Sequence, residues 1–114
     1  MSFFDSAVVR AEMTEIGELQ EEVYTNVFKF PSMSNSEKRD HVDLLEKLLD
    51  KQKVLYTRLS LSDDPEAVEM KKRILDSAVM MGLPSNVDMS VVFNNMSDML
   101  NIMKKQIDST DTDL

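Results

Sequence analysis

With 114 residues and a formal net charge of −8, the chain is sized for one domain with a modest core. It is too acidic to favour free nucleic acid, whose phosphates need clustered Lys and Arg, or an anionic membrane surface. The absence of cysteine excludes disulfides, thiolate chemistry and Cys-based zinc sites, and suits a reducing compartment.

Two glycines and three prolines leave few tight turns, which favours a few long helices. The start, Met1-Ser2-Phe3-Phe4-Asp5, lacks the basic and apolar regions of a signal peptide. No apolar run approaches the ~18 residues of a spanning helix. A cytoplasmic protein without membrane insertion is therefore expected.

The first helix is predicted from Asp5 or Ser6 to just before Pro31. Val9, Met13, Ile16, Gln20, Val23, Val27 and Phe30 follow one another at spacings of four and three, an a/d-type seam. Glu12, Glu15, Glu18, Glu21 and Glu22 occupy the other faces. Gly17 inside this helix weakens it, and close approach of a neighbouring helix would explain its presence. Pro31 then stops the helix and sets a turn over Phe30 to Asn35.

Ser34-Asn35-Ser36-Glu37 has capping-box spacing, so a second helix starts there and runs to about Leu59 or Leu61. Its apolar face (Val42, Leu45, Leu48, Leu49, Gln52, Leu55, Tyr56, Leu59) is widened by Leu44 and wants two or more neighbouring helices. Lys47, Lys51, Lys53 and Arg58 lie mainly on its outer side, where they can pair with the acidic first helix. Asp64-Pro65-Glu66 is a strong start for a third helix, which Gly82 and Pro84 end near Met81.

A fourth helix, capped from Ser85-Asn86-Val87-Asp88, reaches about Ile107. The domain is drawn at residues 1–108, with an acidic, disordered tail at 109–114. Seven of the ten methionines fall in the second half of the chain. Met89, Met96, Met99 and Met103, with Val92 and Leu100, mark one side of the fourth helix. Adaptable thioethers in such a stripe make either a loosely specified core or a yielding contact surface.

Chemistry has one candidate location. Glu15 and Glu18 on the first helix, and Asp40 and Asp43 on the second, are each three apart and so share a helical face. Two such faces could hold Mg²⁺ against a pyrophosphate. In outline this is similar to the all-α nucleoside triphosphate pyrophosphohydrolases, although Leu49 stands where their second helix would complete E-x-x-D after Glu46. The single histidine, His41, lies at the edge of the second apolar stripe without a triad partner. Gln20, Gln52 and Gln106 fall at seam-like positions, as boundary residues or as a polar layer fixing helix register.

The opening Ser2-Phe3-Phe4-Asp5-Ser6 resembles a small uncharacterised family of cyanobacteria and their phages. The stretch Lys51-Gln52-Lys53-Val54-Leu55-Tyr56 through Arg58-Leu59-Ser60-Leu61-Ser62-Asp63, and the methionine-rich last helix, are similar to it too. The resemblance implies an all-helical intracellular protein and transfers no active site.

The sequence thus predicts an all-α domain: a long antiparallel hairpin of the first two helices with two shorter helices packed on it, completed as a dimeric bundle. The expected function is a non-enzymatic interaction module, phage-encoded and host-directed in one version, without cofactor. Its contact residues are Met96, Met99, Leu100 and Met103. The alternative is a Mg²⁺-dependent pyrophosphohydrolase using Glu15, Glu18, Asp40 and Asp43.

Overall fold

The computed structural model describes residues 2–112. Within that span the chain forms four α-helices and no strand: α1 Ala7–Val27, α2 Asn35–Leu61, α3 Pro65–Met80 and α4 Met89–Thr112. Single 3-10 turns lie at Phe3–Asp5 and Phe30–Ser32. No helix is long and apolar enough to cross a membrane among the described residues.

Each helix begins where a side chain can satisfy its free backbone N–H groups. Ser6 Oγ accepts from Val9 N–H at the head of α1. Ser34 and Glu37 close a reciprocal capping box on α2, with Glu37 N–H donating to Ser34 Oγ at 3.2 Å and Ser34 N–H to Glu37 Oε1 at 3.3 Å. Asp88 Oδ1 accepts from Ser90 N–H at 2.9 Å to start α4. Asp64 does two jobs: Oδ1 accepts from Glu66 N–H to cap α3, and Oδ2 accepts from Phe3 N–H at 2.6 Å. One carboxylate therefore ties the first turn of the chain to the start of α3.

Two features depart from the sequence expectations. First, α4 runs to Thr112 rather than stopping near Ile107, and at 24 residues it is longer than the 21-residue α1. Only α3, at 16 residues, is short. Buried Ile107 and an Arg39–Asp108 ion pair at 2.7 Å hold the late turns of α4 against α2. Residues 109–112 of the expected tail are thus on α4, and residues 113–114 lie outside the described residues. Second, a Cβ added at Gly17 would meet nothing within 4 Å, so no neighbouring helix requires that glycine.

α2 is the common partner of the other three helices. On one side Leu48, with Leu44, Leu45 and Leu55, packs against Ile16, Leu19 and Val23 of α1. On the other, Leu49 and Tyr56 meet Ala78, Ile74 and Leu75 of α3 and Met89, Phe93 and Leu100 of α4. The breadth of the α2 apolar face is explained by these two separate cores. The outline is long, 56 × 32 × 20 Å. Its radius of gyration is 16.5 Å, against ~13 Å for a compact chain of this length.

The two glycines make opposite predictions. Gly82 sits at φ +102° in the turn after α3, where Leu83 N–H closes on Ala78 C=O at 3.1 Å. Gly82→Ala should lower stability in urea titration by about 1 kcal/mol or more, because a side chain strains this conformation. Gly17→Ala has open space and should raise it by about 0.5–1 kcal/mol.

Candidate functional site

The fourth helix carries two apolar stripes side by side. Met89 and Phe93, each under one-tenth exposed, pack with Leu49 of α2 and Ala78 of α3, and Ile107, equally buried, lies on the same line further along, beside Phe30 and Lys38. Tyr56 of α2 closes edge-on over the Phe93 ring at 5.8 Å. Leu100 packs on this core from the same line. Beside it runs a second stripe, and this one is open: Met96 is 44% exposed and Met99 63%, with Met103 half-buried between helix and solvent.

The sequence merged these two stripes into one seam. At ~100° per residue Met89 and Leu100 point into the chain, whereas Met99 points well away from them. Met96, Met99, Leu100 and Met103 together line one wall of a groove of about 200 Å³. Leu45, Leu48, Leu49 and Gln52 of α2 line the other. The four candidate contact residues are therefore brought together, and the structure adds four from α2 that periodicity assigns to the core face alone. Ile102, 55% exposed, lies outside the groove, on the side of α4 turned away from Leu100.

The candidate metal ligands are not brought together. Glu15 takes an ion pair from Lys51 at 2.9 Å, and Asp43 one from Lys104 at 3.0 Å, with Glu46 on the same ammonium at 2.8 Å. Glu15 is thus spent on the α1–α2 seam and Asp43 on the α2–α4 seam. Glu18 is exposed and has no ion pair among the described residues. Asp40 is exposed and borders a separate small cavity with Glu22, Glu37 and His41. Among the described residues no group of three or more His, Asp or Glu is placed to hold a metal ion. Charges on α2 meet opposite charges on α1 and on α4.

His41 is more deeply placed than its stripe position implied. It is 5% exposed, its Nδ1 has no hydrogen-bond partner, and its ring tilts against Phe30 at 5.5 Å. The turn that Pro31 imposes brings Phe30 over it, a contact that helical periodicity does not report. The three glutamines form no buried layer within one chain: Gln20 and Gln52 are half-buried and Gln106 is exposed.

Residues 1–107 match the family described as a domain of unknown function, DUF1825. The chain belongs to that family. No curated protein and no solved structure matches it.

Electrostatics of the two seams are asymmetric. The hydrogen bond from Lys51, aided by the charges of Lys51 and Lys47, holds the Glu15 carboxyl below its ordinary value of 4.5. Hydrogen bonds to Glu46 and Asp43 hold the Lys104 ammonium above its ordinary 10.5. A lowered carboxyl contributes stability that is present above 4.5 and lost as pH falls through the folded value; a raised ammonium contributes stability present below 10.5 and lost as pH rises through its folded value. Thermal melts across pH should show both flanks. Glu15→Gln should flatten part of the acid flank, and Lys104→Met part of the alkaline one. All these groups are partly solvated, so added salt should shrink both effects.

Proposed function

We propose that this DUF1825 member is a non-enzymatic protein-interaction module that works as a dimer, completing its helical bundle between two chains. The single observation that carries the reading is the open apolar groove between α2 and α4. Its walls are almost wholly apolar, and three of its eight lining residues are methionines. Thioethers on a surface suit contact with another protein, because they repack around an imperfect partner at little cost. Glu12 with Arg58 and Glu15 with Lys51 follow the pairing order of an antiparallel hairpin, which supports that arrangement as the frame of the module. The net charge of −8 favours a protein over a nucleic acid or an anionic membrane as the contact.

Surface bookkeeping supports a second chain. The accessible surface is 7966 Å². A compact monomer of 13.1 kDa exposes roughly 6,400 Å². A standard dimer contact covers ~800 Å² per partner, which is about half of the surplus.

Two measurements test this. Light scattering should find a dimer, and Met99→Glu combined with Met103→Glu should convert it to a monomer with helicity unchanged by circular dichroism. A wild-type monomer would sink the dimer reading, and a double variant that unfolds would sink it by showing that the stripe serves the chain's own core. Separately, pyrophosphate release from nucleoside triphosphates with Mg²⁺ or Mn²⁺ should be flat, and Glu18→Gln should change nothing. Metal-dependent release that Glu18→Gln abolishes would overturn the non-enzymatic assignment.

A further inference from the structure

We infer that the hollow at the turn end of the α1–α2 seam is a binding site for an organic cation rich in N–H donors, a guanidinium or a primary ammonium. The site is independent of the dimer reading. It lies on the α1 side of α2, whereas the groove lies on the α4 side.

The seam shows what this hollow lacks. At two crossings an acid of α1 meets a base of α2: Glu12 meets Arg58 at 3.2 Å and Glu15 meets Lys51 at 2.9 Å. Beside the turn, acid faces acid. Glu22 of α1 shares a hollow of about 240 Å³ with Glu37 and Asp40 of α2, and neither Lys nor Arg lines it. Glu37 has one oxygen engaged in the α2 cap, where Oε1 accepts from Ser34 N–H. Glu22 and Asp40 have neither a hydrogen bond nor an ion pair among the described residues. Like charges gathered in one concavity repel, and each gains from a cation placed between them.

A buried side chain points to the same place. Glu37, Asp40, His41 and Leu44 stand at i, i+3, i+4 and i+7, so the start of α2 turns one face to the hollow. His41, in its wall, is 5% exposed, and its Nδ1 has no hydrogen-bond partner. Buried polar atoms are nearly always paired, so an unpaired one in the wall of a cavity marks a place for a donor from outside the chain.

Size and donor number select the ligand class. Among the described residues the acids and His41 are not placed to close on a metal ion. The hollow has the volume of several water molecules, at ~30 Å³ each. A flat guanidinium presents donors along several edges and can serve separated carboxylates and a ring nitrogen together. Half-buried Met33 and Leu44 give an apolar wall for the alkyl stem that carries it.

Nuclear magnetic resonance of the isotope-labelled chain, titrated with agmatine, tests the site; agmatine carries both cationic groups on one alkyl stem. Signals of Asn26, Asp40 and the His41 ring should shift together and saturate. Those of Glu15 and Asp43, acids already held by lysines, should stay in place. Glu22→Gln with Asp40→Asn should raise the dissociation constant at least ~10-fold with helicity unchanged, and the urea analogue of agmatine, which keeps the shape without the guanidinium charge, should bind more weakly. A blocked peptide with one arginine that binds more tightly than agmatine would assign the site to a side chain of a protein partner; any other order would assign it to a free amine. Absence of saturating shifts, equal shifts at all exposed acids, or undiminished binding by the double variant would overturn the site.

Discussion

The helix α2 must be covered from two sides, and the rest of the molecule is arranged to meet that demand. Its apolar residues span too much of its circumference for one neighbour. Leu48 and the leucines around it need α1, while Leu49 and Tyr56 need α3 and α4. Charges follow the same division. Lys51 and Arg58 reach the acids of α1, and Asp43 and Glu46 receive Lys104 from α4. Exposed pairs of this kind add little stability singly, but wrong registers would set like charge against like. Burial supplies the driving force, and the charge pattern selects the alignment in which it is realised.

Local signals in the amino-acid sequence were the most legible. Ser34 with Glu37, Asp64 before Pro65, and Gly82 before Pro84 each specify a helix end through one or two backbone groups, and each was placed within a residue. These are short-range effects that need no knowledge of the remaining fold. The breadth of the α2 face also predicted several neighbours. What could not be read was which neighbour each residue would meet. Gly17 illustrates the point: a glycine inside a helix can mark a close crossing, but only the three-dimensional arrangement shows that nothing approaches it. The end of α4 departs from the sequence expectation for a similar reason. Polar composition after Ile107 reads as tail, whereas burial of Ile107, with the Arg39–Asp108 pair beside it, docks the late turns of α4 on α2.

The candidate site shows the same division between local and global information. Periodicity identified the methionine stripe and named four residues that do come together. It could not separate Met89 and Leu100, which belong to the core, from Met96 and Met99, which face solvent, because a helical repeat has no knowledge of where the neighbouring helices stop. The paired acids failed in the opposite direction. Spacing alone made Glu15, Glu18, Asp40 and Asp43 look like a convergent set, yet Lys51 and Lys104 draw two of them to different seams. Carboxylates three apart on a helix are equally suited to a metal and to a row of basic side chains, and only the opposing helix decides.

Leu48 belongs to the core with α1 and also lines the groove with α4. The rear wall of the groove is therefore the front wall of another compartment. A change on α1, at Ile16 or Leu19, can shift Leu48 and so alter the depth of the groove without replacing any residue exposed in it. The shape of the groove can therefore drift through substitutions that look purely internal. Comparing only the surface residues of relatives would then miss the positions at which the depth of the groove was set.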